Sequence, residues 1–236
     1  MKKKIYAMIP ARIGSSRLKK KNLALLDGKP LIYYAIESAK RSNVFDKIYI
    51  NSDDEIFKKV AEKYGVNFYL RPKKLGGSSI KSDQVVLDFI KKNKSDICVW
   101  VNSIAPLQTS LEIKKVINFF IKKNLNSLIT VVDKKIHTVF KNNPVNFKYE
   151  GKFEQTQNLV PVKEMVYSLM MWKNNSFLKS MKIRGNAILH KKIGYYNVNP
   201  MSGLIVKNIN DLKLIDQILK FRKRKNFKLK YYTNHK

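Results

Sequence analysis

Cysteine is all but missing from this chain. Cys98 stands alone among 236 residues, inside the apolar run Ile97 to Val101, where it reads as a small buried hydrophobe and not as a nucleophile or ligand. An intrachain disulfide is excluded, and nothing in the cysteine usage points to secretion. Histidine is scarce too: His137, His190 and His235 lie far apart, without the spacing of a metal site. Long apolar runs are lacking. Lys2 to Lys4 precede only a five-residue apolar stretch before Pro10, too short for a signal peptide or a membrane span, so the expected compartment is the cytoplasm. Acidic residues number 17 against 48 Lys and Arg, a formal net charge of +31. A balance this basic raises the reading of a nucleic-acid-binding protein. The cations, however, are mostly lysines dispersed along the whole chain, and Asn and Ile are abundant, as codon bias in an AT-rich genome would produce. A lysine-rich solvated surface carrying one functional anion site accounts for the pattern, with no specific nucleic-acid partner.

What is present is an alternation of short apolar runs with helical periodicity. Ile5 to Ile9, Lys47 to Asn51, Val66 to Leu70, Asp96 to Val101 and Ser127 to Val132 read as strands. Helices are expected from Pro30 to Ser42, from Asp53 and Asp54 to Tyr64, from Ser82 to about Lys92, and from Ser110, as the cap, to about Lys123. This is a doubly wound α/β pattern with a mostly parallel sheet, whose ligands belong beyond the carboxyl ends of the strands. From His137 to about Val166 the pattern breaks. Phe140, Phe147, Tyr149 and Phe153 are dispersed among Asn, Lys and Gly, which suggests an irregular arm or hairpin for subunit contact, with Gly151 in a turn. Met165 to Trp172 returns as a strand. Asn174 to Lys182 is a short helix, Gly194 to Val198 a strand, and Ile209 opens the last helix. One domain is expected over 1–236, with an inserted arm at about 137–170 and a basic tail at about 221–236.

The stretch that organises the rest is Ile9-Pro10-Ala11-Arg12-Ile13-Gly14-Ser15-Ser16-Arg17-Leu18-Lys19-Lys20-Lys21-Asn22. It follows the first strand directly. Small residues let backbone N–H groups turn toward one point, Ser15 and Ser16 add hydroxyls, and Arg12, Arg17 and Lys21 add positive charge. Such a loop after the first strand suits a polyanion, most simply a nucleoside triphosphate.

Five ordered blocks make the pattern specific: Ile9 to Asn22, Gly28-Lys29-Pro30-Leu31-Ile32, Ser52-Asp53, Arg71-Pro72 and Ala105-Pro106-Leu107. Together they resemble the acylneuraminate cytidylyltransferase family, the CMP-sialic acid synthetases and their relatives acting on legionaminic and pseudaminic acids. The resemblance is strong over 5–132 and weaker through Gln155 to Asn158 and the last helix. It implies a Rossmann-like nucleotidyltransferase with a protruding dimerisation arm, and attack of a sugar hydroxyl on the α-phosphate of CTP with loss of pyrophosphate, for surface polysaccharide synthesis. It further implies a nucleotide site at Ala11, Arg12, Gly14, Ser15, Lys21, Asn22, Arg71 and Ser82, a sugar side at Asn102 and Gln108, a homodimer and a magnesium cofactor.

The chain departs from the family at three places. Lys19 replaces a usual proline. The family's Leu-Gln-Pro-Thr-Ser-Pro-Leu-Arg block reads Val101-Asn102-Ser103-Ile104-Ala105-Pro106-Leu107-Gln108, so a guanidinium and a hydroxyl are lost on the sugar side. Relatives also hold magnesium on an Asp-Ile-Asp motif, and here that triplet is Ile205-Val206-Lys207. One reading lets the Lys207 ammonium stand in for the metal as a point charge, beside Arg12 and Lys21 as the candidate catalytic groups. Asp53 and Asp211 are the remaining candidate metal ligands. The other reading is a nucleotide-binding relative with impaired catalysis.

Overall fold

A computed structural model of the chain describes residues 2–223 and 231. Most of the basic tail expected at 221–236 therefore lies outside the described residues. The order of elements is β1 (Ile5–Pro10), α1 (Leu31–Ser42), β2 (Lys47–Ser52), α2 (Ile56–Tyr64), β3 (Asn67–Leu70), α3 (Ser82–Lys92), β4 (Ile97–Val101), α4 (Ser110–Lys122), β5 (Ser127–Lys134), β6 (Val162–Lys173), α5 (Asn174–Arg184), β7 (Ile193–Asn197) and α6 (Ile209–Lys223). The seven strands form one sheet in the order β7-β5-β6-β4-β1-β2-β3. β1 pairs parallel with β2 and with β4, β2 with β3, and β5 with β7. The doubly wound, mostly parallel sheet expected from the sequence is the observed one.

β4 shows why the centre of the sheet is apolar throughout. Helices cover both faces, so no strand position is left for water, and Ile97, Cys98, Val99 and Val101 are buried. One face packs on α1 and α4 through Ile36, Ile113, Ile117 and Phe120. The other packs on α3 and α5 through Phe89, Trp172 and Phe177. The Trp172 indole is fully buried, and its N–H donates to the Ile188 carbonyl at 2.8 Å.

β6 runs antiparallel to both β4 and β5 and lies between them, a direction that the strand pattern at 165–172 does not reveal. The excursion before it carries a two-residue ladder, Val139–Phe140 against Asn143–Pro144, and a positive φ of 95° at Gly151. Two helix starts also differ from expectation. α2 begins at Ile56 with Glu55 at the cap position; just ahead of it Asp54 accepts from the Ile56 N–H at 2.9 Å, and Asp53 is drawn into an ion pair. Thr109, not Ser110, caps α4: its hydroxyl accepts from the Glu112 N–H at 3.2 Å.

Candidate active site

Three loops rise beyond the carboxyl ends of the strands: 11–24 after β1, 71–81 after β3 and 102–108 after β4. In the first, the Ala11 N–H donates to the Asn51 carbonyl at 2.9 Å and the Ser15 N–H to the Ile13 carbonyl at 3.1 Å. A 3-10 turn over Lys21–Leu23 then carries Lys21 and Asn22 inward, where they are 8% and 4% exposed. Such burial is rare for Lys and Asn and needs a compensating partner. The Asn22 amide N–H donates only weakly to the Arg12 carbonyl, at 3.5 Å, and its Oδ1 has no partner.

The loop after β3 is set by Arg71, 4% exposed. Its guanidinium donates to the Asn51 carbonyl at 3.3 Å and to Asp53 Oδ1 at 3.0 Å, while Nε is unpartnered. Gly76 lies against the same carboxylate. A Cβ there would stand 2.9 Å from the Asp53 Cβ and closer still to its carboxyl group. Asp53 thus ties Arg71 and the Gly-rich loop into one unit. In the third loop the Ser103 hydroxyl donates to the Pro10 carbonyl at 2.7 Å, which locks the end of β4 to the end of β1.

The loops enclose a cavity of about 270 Å³. Arg12, Ser15, Lys21, Asn22, Arg71, Ser82 and Asn102 all line it, joined by Arg17, Trp100 and Ser103. It shares Ser15 and Gly77 with a more open recess of about 710 Å³ that Gly14, Lys19 and Lys20 line. Trp100 and Ser103 are residues that the loop motifs do not point to. Trp100 is hidden inside an apolar strand pattern, although its indole N–H is buried without a partner. A larger groove of about 690 Å³ also borders Arg71, but its charged lining is mixed, with Asp53, Asp54, Glu55 and Asp88 beside Lys73 and Lys92. The smaller cavity is lined by cations without a carboxylate. Burial, then the neighbouring Arg17 and Arg12, hold the Lys21 ammonium below the ordinary lysine range, and the Asp211 charge partly offsets them.

Four of the expected site residues fall elsewhere. Ala11 is fully buried, and Gly14 lines only the adjoining recess. Gln108 is 3% exposed and turned away from the cavity: its amide donates to Glu112, whose other carboxyl oxygen accepts from the Asn199 N–H at 2.7 Å. It braces the start of α4 and does not face an acceptor. Lys207 is exposed and is not among the residues lining the cavity. Its backbone N–H and that of Asn208 donate to Asp211 Oδ2, at 2.7 and 2.9 Å.

Magnesium prefers hard oxygen ligands, commonly one or two carboxylates with substrate phosphate. Asp53 is committed to Arg71, Asp211 already accepts from the Lys207 and Asn208 N–H groups at the start of α6, and the Ile205 side chain offers no oxygen. Among the described residues no group of three or more His, Cys, Asp or Glu side chains is arranged to hold a metal ion. The chain's own residues do not fit a resident magnesium site.

A mostly parallel sheet with a cationic, hydrogen-bonding cavity beyond the carboxyl ends of its strands is the arrangement of a ligand-binding, doubly wound α/β protein. Sequence comparison then places it: the chain belongs to the cytidylyltransferase family, whose profile matches residues 6–184. It is similar to the N-acylneuraminate cytidylyltransferase of Escherichia coli, 43% identical over 91 residues, which span 39% of this chain and 21% of that protein. It is similar also to the pseudaminic acid cytidylyltransferase of Campylobacter jejuni, 43% identical over 89 residues, spanning 37% of this chain and 38% of that one. These matches cover well under half of either relative's length. A solved structure of CMP:2-keto-3-deoxy-manno-octonic acid synthetase complexed with CTP shares the fold, with a TM-score of 0.72 at 13% identity over 93% of this chain and 99% of that one.

Proposed function

We propose that the chain transfers CMP from CTP to a sialic acid-like keto-sugar acid of the acylneuraminate, legionaminate or pseudaminate type, releasing pyrophosphate. The observation that carries this reading is the cavity's unspent polarity. Asn22 Oδ1, Arg71 Nε and Trp100 Nε1 are buried and unpartnered, and all three residues line one space with Arg12, Arg17 and Lys21. Orphaned buried polar atoms are costly unless a ligand satisfies them. In this reading Arg12, Arg17 and Lys21 hold the triphosphate, Ser15 and Ser82 add hydroxyls, and Asn22 Oδ1 accepts from the amino group of cytosine.

The sugar hydroxyl oxygen forms a bond to the α-phosphorus as the bond from that phosphorus to the β-phosphate bridging oxygen breaks. The hydroxyl proton passes to solvent water, and charge builds on the departing pyrophosphate. Such transfer is mostly positioning and charge stabilisation, and cations at the phosphate end supply the second. No step here is assigned to a metal ion. The acceptor belongs on the Asn102 side. Lys207 bears only indirectly on the reaction, through the backbone that Asp211 anchors.

Similarity to two cytidylyltransferases that differ in their sugar acid supports the class of acceptor rather than one sugar. The proposed setting is the cytoplasm, where CTP is available, with the product serving surface polysaccharide synthesis. No helix among the described residues is long and apolar enough to cross a membrane. The aromatic arm is proposed to bind a second copy, making a homodimer.

The test is pyrophosphate release from CTP across a panel of keto-sugar acids. Turnover with at least one of them is expected; CTP binding with no turnover on any sugar supports a second reading, a nucleotide-binding relative with impaired catalysis, which the misfit of the magnesium ligands favours. Salt-steep binding of DNA or RNA with no preference for CTP would instead revive the basic nucleic-acid-binding class.

A further inference from the structure

Tyr167 is in the wrong conformation for its residue type. Its φ is +55°, the left-handed region that bulky L-residues avoid. The other non-glycine residues with positive φ among the described residues are Lys20, Asp27, Asn43, Asn124, Lys141, Asn142 and Lys191. Those are Asn, Asp or Lys at turns and helix ends. Tyr167 is the one aromatic, and it lies inside a strand.

The cause is a wide bulge in β6. Met165 pairs with Val131 and Met170 with Ile129, so four residues, 166 to 169, stand opposite Thr130 alone. The Thr130 hydroxyl fills the gap, donating to the Leu169 carbonyl at 3.1 Å and accepting from the Leu169 N–H at 3.0 Å. Leu169 pairs with Val101, the last residue of β4. Residues 166–168 therefore lie past the carboxyl end of β4, next to Asn102; Val166 and Ser168 are buried there and Tyr167 alone is exposed. Asn102 clamps them there: its backbone N–H donates to the Ser168 carbonyl at 3.0 Å, and its side-chain amide to the Tyr167 carbonyl, also at 3.0 Å. Asn102 itself lines the cavity. The Tyr167 side chain is 43% exposed, and its hydroxyl reaches only the Met165 sulfur, at 3.8 Å.

The ring's own packing does not explain the strain, because Tyr167 is exposed; the buried groups of the bulge are its neighbours Val166 and Ser168. A glycine would take this backbone at no steric cost. Bulges that re-aim a side chain, and strain kept at a rim, are features of functional sites. We propose that Tyr167 is the specificity-determining platform of the acceptor side, presenting its ring to the apolar face of the sugar acid. The inference rests on the keto-sugar acid reading above. It assigns the acceptor contact to the aromatic ring, with Asn102 acting as the residue that positions it.

The experiment compares Tyr167→Gly and Tyr167→Phe with the unmodified chain. It reads thermal stability, CTP affinity by calorimetry, and KM across the sugar panel, or sugar-acid binding to the CTP-loaded protein. Tyr167→Gly is expected to melt at the same temperature or higher and to bind CTP unchanged. Its KM for the preferred sugar acid should rise about three- to tenfold, the worth of one aromatic stacking contact, and the ranking among sugars should flatten. Tyr167→Phe keeps the ring and should behave as the unmodified chain. A Tyr167→Gly variant with unchanged sugar KM and ranking overturns the proposal, as does one whose CTP affinity falls as much as its sugar affinity. CTP binding with no sugar-acid binding in the unmodified chain overturns the substrate reading and this inference with it, whereas sugar-acid binding that Tyr167→Gly leaves untouched overturns this inference alone.

Discussion

Lys21 carries its charge at a cost, since burial and two neighbouring arginines both favour the neutral amine. A folded-state pKa below the ordinary lysine range means that the unfolded chain holds more protons in the window between the folded and unfolded values. Lys21 therefore opposes folding below its folded pKa, and this penalty lifts as pH rises toward the unfolded value. A bound triphosphate reverses the preference, because an adjacent anion favours the ammonium. CTP binding is then accompanied by proton uptake on the alkaline side and weakens as pH rises through the lowered pKa. Calorimetry in buffers of different ionisation enthalpy should detect that proton, and Lys21→Gln should abolish it. At Gly76 the argument is steric. Gly76→Ala drives a Cβ into the Asp53 carboxyl group and must move either the loop or the ion pair to Arg71. Loss of at least tenfold in CTP affinity is expected, about 1.4 kcal/mol, with Gly77→Ala as the control because a Cβ there meets only ordinary contacts.

At the scale of elements, the start of α4 shows how a local signal can be read one residue out. Thr109 and Ser110 are adjacent hydroxyl residues and either could cap. The cap must be extended while the next residue is helical, and Thr109, at φ −92° and ψ 152°, meets that condition. Glu112 then occupies the third helical position, as in a capping box, but turns its carboxylate outward to Gln108 and Asn199. The same carboxylate therefore removes Gln108 from the site and ties α4 to the 198–204 segment. Thr109→Ala should cost about 1 kcal/mol and lower Tm by about 2–4 °C for a chain of this size, without changing CTP affinity. Strand β6 raises a different difficulty. Its apolar residues announce a strand, yet direction and neighbours are properties of the sheet.

At the scale of the whole molecule, charge and exposed apolar surface act separately. The net charge of +31 creates a long-range field that speeds the arrival of a polyanion, and salt screens it. The association rate of CTP should fall steeply between low and physiological ionic strength, while the dissociation rate, governed by contacts in the cavity, changes little; stopped-flow fluorescence of Trp100 can follow both. The arm presents Phe140, Tyr149 and Phe153 at 67%, 66% and 74% exposure. Phe153 stacks on His137 with ring centroids 4.0 Å apart, and Phe147 packs edge-on to the same ring. An aromatic surface of this kind is a protein-contact surface more often than a solvated one. Sedimentation should show a dimer that Phe153→Asp converts to monomer.

Alternation of apolar runs with helical periods was enough, in the sequence alone, to determine the α/β class and the order of the strand and helix segments, and composition marked the first loop as small, hydroxylated and cationic. These depend on local spacing and on side-chain chemistry, which a linear chain displays directly. Arg12, Ser15 and Lys21 were suggested by the chemistry of the first loop, and Asn22, Arg71, Ser82 and Asn102 only by the family resemblance; all seven line one cavity. The tertiary structure decided what depends on non-local pairing. It reversed β6 between two strands far from it in sequence and turned Gln108 into a brace. It paired Asp53 with Arg71, brought the Trp100 indole to the cavity wall, and forced Tyr167 into a left-handed bulge. These outcomes depend on which segments the fold brings side by side, from Asp53 with Arg71 to Glu112 with Asn199, and a pattern of neighbours along the chain carries no record of that.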